Sequence, residues 1–70
     1  MRISARNQLT GTVTAVNHGA VTTTVKVGLG GGDTITSSIT REAAEELGIA
    51  PGSVVTVVIK ASDVLLALDG

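Results

Sequence analysis

The chain has seventy residues, a formal charge of −1, and no cysteine, phenylalanine, tyrosine or tryptophan. Those absences exclude disulfides, thiolate metal sites and the aromatic platforms on which single-stranded nucleic acid stacks. The charge lacks the basic excess that a nucleic-acid footprint requires, so no nucleic-acid partner is expected.

A chain of this length makes one domain, residues 1–70, and domains this small are marginal without extra support. The sequence is 43% hydrophobic, mostly Val, Ala, Leu and Ile. A core of small aliphatics with no aromatic anchor predicts packing against copies of the same chain. Met1-Arg2-Ile3-Ser4 lacks the apolar stretch of a secretory leader, and no apolar run reaches transmembrane length. The expectation is a cytoplasmic protein with no membrane partner.

Residues 9–16 place Leu9, Gly11, Val13 and Ala15 at every second position, with threonines at 10, 12 and 14 between them. This period predicts a strand with one buried face. Asn17-His18-Gly19 reads as a turn. Val21, Thr23, Val25, Val27 and Leu29 alternate with Thr22, Thr24, Lys26 and Gly28 in a second strand. Gly30-Gly31-Gly32-Asp33 then connects a hairpin, and Ile35, Ser37 and Ile39 mark the third strand.

Thr40 is a good helix N-cap, and Glu42 suits the positive end of the helix dipole. Ala43, Ala44 and Leu47 share one face of a short helix, while Glu42, Glu45 and Glu46 read as its solvated side. Gly48 and Pro51 end it, and Pro51-Gly52 forms a turn. Residues 54–59 and 64–68 are near-continuous apolar runs, which predicts two strands covered on both faces. The fold class expected is all-β with one short helix: a five-stranded OB-like β-barrel, assembled as an oligomer.

Few residues carry chemistry. Ser4 and Arg6 near the start, and Lys60 and Ser62 near the end, each set a cation two positions from a hydroxyl. In strand geometry such pairs point to one side. Guanidinium, ammonium, hydroxyl and backbone N–H groups are the donors that bind a tetrahedral oxyanion, and Ala5 and Ala61 leave the backbone N–H groups accessible. Spacing alone is also compatible with solvated strand-end charges, the common fate of Lys and Arg. The glycine run has neither the following helix nor the lysine of a phosphate-binding loop. A single histidine, His18, completes neither a metal site nor a Ser/His/Asp arrangement, so no direct metal ligands and no catalytic residues are expected, and an enzyme is not.

The segment Ile3-Ser4-Ala5-Arg6-Asn7-Gln8-Leu9-Thr10-Gly11-Thr12-Val13 resembles the S-A-R-N-x-L-x-G-x-V start of the molbindins. Asp33 to Thr40 is similar to their central I-T-S-x-I segment. Glu45 to Ser53 is similar to their E-L-G-x-x-x-G turn, and Val58-Ile59-Lys60-Ala61-Ser62-Asp63-Val64 to their V-x-K-S/A-x-D/E-V ending. The resemblance runs from Ile3 to Leu68. It implies a single Mop-type domain that binds molybdate, and often tungstate, as a ligand, with no catalytic cofactor. It implies a homo-hexamer, a trimer of dimers, holding anions between subunits for storage or homeostasis. One implied site joins Ser4, Ala5 and Arg6 of one chain to Lys60, Ala61 and Ser62 of another; Ala61 departs from the usual serine. A second, near threefold axes, would involve His18, Gly19, Ala20, Val21 and Ser38. A shorter stretch, Ile39 through Val55, also resembles the swapped-hairpin DNA-binding domains of AbrB type, although Thr40 replaces their proline. An enzyme subunit or a plain structural oligomer, without a ligand, is the third alternative.

Overall fold

The computed structural model describes residues 2–70. Four strands and one helix follow in order: β1 (Asn7–His18), β2 (Thr22–Leu29), β3 (Thr34–Thr40), α1 (Arg41–Leu47) and β4 (Val54–Ile59). A 3-10 turn, Ala61–Asp63, comes last. The strands form one antiparallel sheet in the order β3-β2-β1-β4.

The long β1 serves two neighbours. Its first half pairs with β4, from Asn7↔Ile59 to Thr12↔Val54. Its second half pairs with β2, from Gly11↔Leu29 to His18↔Thr23. Gly11 and Thr12 belong to both ladders. The backbone of Val13 then continues toward the β4 side: its N–H donates to Ser53 O at 2.9 Å and its C=O accepts from Gly52 N at 2.8 Å.

One irregularity changes the face that β1 presents. Its register with β2 steps from Val13↔Val27 to Ala15↔Lys26, leaving Thr14 as a bulge. The Thr14 hydroxyl donates to Lys26 O at 3.3 Å there. An inserted residue inverts side-chain parity beyond it. Gly11 and Val13 therefore face inward before the bulge, and Val16 and His18 after it, opposite Val25 and Thr23. The expected continuation of the buried face to Ala15 is corrected: Ala15 is exposed and Val16 half-buried. The strand also runs through His18, so the predicted turn shifts to Gly19, whose N–H donates to Thr22 O at 2.7 Å.

The core is Val13, Val25 and Val27, with Val16, Ile39, Ile49, Val55 and Val57 packed against it. Thr23 is fully buried in the same inward row, and its hydroxyl lies 2.8 Å from His18 Nδ1. That partner offsets the desolvation of a buried hydroxyl. The β2–β3 glycine hairpin forms as expected, with Leu29 N–H donating to Asp33 O at 2.8 Å and Gly32 at φ 94°.

Helix α1 is capped at both ends. Thr40 Oγ1 accepts from Ala43 N at 3.1 Å, and Gly48 closes the helix in the left-handed region at φ 64°. Seven residues are too few for an independent helix. Arg41 N–H to Val21 O, 2.8 Å, and Ile49 N–H to Ala44 O, 3.2 Å, tie it in place. Ala44 is buried, but Leu47 does not join it and is 71% exposed.

Two expectations at the C-terminal end are corrected. In β4, Val55, Val57 and Ile59 are half-buried whereas Val54, Thr56 and Val58 are exposed, so this chain covers one face, not two. Residues 64–70 form no strand, and the sheet has four strands rather than five. Among the described residues no sheet edge receives the tail, and Leu65, Leu66 and Leu68 are 92%, 93% and 99% exposed. The sheet curls into a half-barrel whose apolar trough, lined by Val13, Val25, Val27, Ile39, Val55 and Val57, is open.

Gly11 fixes how closely the strands approach. A Cβ there would lie 2.5 Å from Val27 Cγ1 and 2.9 Å from Gly28 O. Gly11→Ala therefore forces strands apart, with an expected cost of about 1–3 kcal/mol, the range for overpacking. Urea denaturation checks this; an unchanged midpoint contradicts it.

Candidate functional site

The β1–β4 ladder ends at Asn7↔Ile59. The next residue outward on one side is Arg6, and on the other Lys60. The two segments singled out in the sequence thus meet at one end of a single chain. Neither continues as a strand. Ser4 and Arg6 fall in bends, while Lys60 caps the 3-10 turn that carries Ala61 and Ser62. The same-side argument from strand alternation is therefore corrected. What gathers these residues is the final ladder pair.

Ser4, Arg6, Lys60, Ala61 and Ser62 are exposed, and Ala5 is half-buried. The turn is closed by Asp63 N–H to Lys60 O at 2.9 Å and Val64 N–H to Ala61 O at 3.2 Å. Neither the N–H of Ala61 nor that of Ser62 donates a hydrogen bond among the described residues. The one ion pair among the described residues is Arg41–Glu45, at 2.9 Å. Neither Arg6 nor Lys60 pairs with a carboxylate among the described residues, and Asp63 is the only acidic residue on the turn. Two cations, two hydroxyls and free backbone donors at one edge favour a small multivalent anion. No group of His, Cys, Asp or Glu among the described residues suits a metal ion held directly.

The second predicted cluster lies near the opposite end of β1. His18, Gly19, Ala20 and Val21 are contiguous there, and all are exposed. The His18 ring points along the inward row onto Thr23. Ser38 does not join it: Ser38 pairs with Thr24, which pairs with Asn17, on the outer face. Arg41 was not among the residues expected at this cluster, and it pairs with Glu45 at 2.9 Å. Its Nη1 also donates to Gly19 O at 3.3 Å, and it lines a shallow depression with Ala20, Val21 and Thr40.

Asn7 was also missed as a structural element. Its Nδ2 donates to Ile59 O at 3.2 Å, across the end of the ladder. Only the motif Ser4-Ala5-Arg6-Asn7 flagged it in sequence; nothing there gave its partner.

Fold and site together define a class: a small curled β-sheet protein with one short helix and an open cationic edge. The TOBE domain model matches residues 3–66, and the chain belongs to that family. It is 48% identical over 66 residues to molybdenum-pterin-binding protein 3 of Clostridium pasteurianum, covering 94% of this chain and 97% of that one. The fold superposes on apo MopII of the same organism with a TM-score of 0.89 at 43% identity, covering 96% of this chain and all of that one. A molybdate-bound structure of ModG, described as a cytoplasmic molybdate-binding protein, matches with a TM-score of 0.89 at 52% identity over 93% of this chain and 46% of that one. The match to the TOBE domain spans almost the whole chain, unlike the partial likeness to AbrB-type domains. No helix among the described residues is long and apolar enough to cross a membrane.

Proposed function

We propose that this chain binds molybdate reversibly, as a tetrahedral oxyanion held by hydrogen bonds, in cytoplasmic molybdenum storage or homeostasis. The observation that carries the reading is the juxtaposition of Arg6 and Lys60 beyond the Asn7–Ile59 pair, with no ion pair to either among the described residues. Arg6 supplies a planar fork of donors and Lys60 a compact charge. The Ser4 and Ser62 hydroxyls and the N–H groups of Ala5, Ala61 and Ser62 add directional donors. Tungstate has the same charge and shape and fits the same donors. Sulfate also shares both, so discrimination against it rests on pocket size.

The ligand sites belong to an assembly, a homo-hexamer built as a trimer of dimers. Support comes from what a lone chain leaves uncovered: the open trough, the outer face of Val54 and Val58, and the tail. Residues 64–68 are apolar, follow the site directly, and have no partner strand among the described residues. Entering a neighbour's sheet between β3 and β4, they supply the fifth strand of the barrel and fill its trough. The cationic edge then lies against another subunit, which completes its coordination of the anion. His18, Gly19, Ala20 and Val21 form the second site where several chains meet, and Ser38, which stands apart from them in its own chain, reaches it from a neighbouring one. Anions bound between chains stabilise the oligomer, because only the oligomer binds them.

Arg6→Ala removes a charge-assisted fork and is expected to weaken molybdate binding roughly a hundredfold, with thermal stability of the ligand-free protein nearly unchanged. Isothermal titration calorimetry reads this; wild-type affinity and stoichiometry in the variant contradict the assignment. Truncation after Asp63 is expected to abolish the hexamer in native mass spectrometry, and a truncated chain that stays hexameric contradicts the role given to the tail.

A further inference from the structure

Asn7 joins the two cationic segments twice, once through the backbone and once through its side chain. Asn7 and Ile59 form the last pair of the β1–β4 ladder. The Asn7 side chain adds a bond from Nδ2 to Ile59 O at 3.2 Å. Beyond this pair there is no further rung: the chain enters a bend at Arg6 on one side and the 3-10 turn after Lys60 on the other. The ends of ladders open most easily. Here opening is also favoured by charge, since Arg6 and Lys60 repel each other and no described carboxylate pairs with either. Asn7 is half-buried, so water competes less for its bond than for one made at the surface.

We infer that Asn7 is a positioning residue for the anion site. Its bond to the Ile59 carbonyl fixes the spacing of Arg6 and Lys60 before an anion arrives, and Asn7 itself does not touch the anion. The chemistry is specific to the amide. Leucine has the same branched outline but donates nothing, and aspartate has the shape but only accepts at neutral pH and would set a negative charge beside the site. A binding site held by a supporting hydrogen bond loses affinity when that support is removed, even though every contacting group remains. This inference rests on the anion-site reading of Arg6 and Lys60.

The test is a double-mutant cycle on the full chain, with molybdate as the probe in titration calorimetry. Asn7→Leu and Asn7→Ala are each expected to raise Kd about tenfold, with the subunit count in native mass spectrometry unchanged. Asn7→Leu keeps the branched side-chain outline should the alanine variant fold poorly. In an Arg6→Ala background there is no pair of cations left to align, so Asn7→Leu is expected to change Kd by less than about twofold. Wild-type affinity in Asn7→Leu overturns the inference. So does an equal loss in both backgrounds, which marks a general structural role. If Arg6→Ala alone keeps wild-type affinity, the anion-site reading itself fails, and this inference fails with it.

Discussion

The structure depends on a single strand pairing with two neighbours over the same residues. At Gly11 and Thr12, β1 is bonded to β2 on one edge and β4 on the other. At this crossing the β1–β2 and β1–β4 ladders overlap, which makes the N-terminal and C-terminal parts of the chain one sheet. The crossing must also be tight. Gly11 is buried, and the space a side chain would take is occupied by Val27 and the Gly28 carbonyl. A glycine inside a strand weakens the strand but allows close backbone approach. Here that approach lets the sheet curl over Val13, and the curl makes the trough. The Val13 backbone bonds to Gly52 and Ser53 fasten the loop after α1 to the same point.

From that crossing, β1 runs to the cationic edge in one direction and to the His18 turn in the other. The first arm is regular. The second contains the Thr14 bulge, which turns His18 inward onto Thr23. Without the bulge, His18 would project outward and the Thr23 hydroxyl would lose this partner in an aliphatic core. The bulge thus reconciles a polar residue in the buried row with the hydrogen-bonding demand it creates.

Period-two patterning read β2 and β3 correctly from sequence because each has one inward row and uninterrupted pairing. The caps of α1 were legible for a local reason: Thr40 and Gly48 act on backbone groups three or four residues away. The bulge was not legible. Leu9, Gly11, Val13 and Ala15 fit one unbroken period, and only pairing with Lys26 shows that the period slips. The apolar runs at 54–59 and 64–68 state that surface must be buried, not which chain buries it. Patterning therefore gave five strands where one chain forms four. The site was legible as two cation–hydroxyl pairs. Their meeting within one chain was not: the resemblance implied a meeting between two chains, and Asn7 and Ile59, 52 positions apart, are brought together by the ladder and the Asn7 side chain.

The exposure of the cationic edge bears on how it can bind. Two charges in water attract a dianion weakly, and salt screens them over about 8–10 Å. The same charges covered by low-dielectric protein act several times more strongly. Covering them without an anion is costly, because like charges are then desolvated together. The open edge of one chain is consistent with both facts: it stays hydrated when empty and strengthens when an anion and a neighbouring surface arrive together. The tail begins immediately after the turn that carries Lys60, Ala61 and Ser62. On the proposed reading, the segment that holds the anion is continuous with the segment that holds the neighbour. Ordering one then lowers the entropy cost of ordering the other.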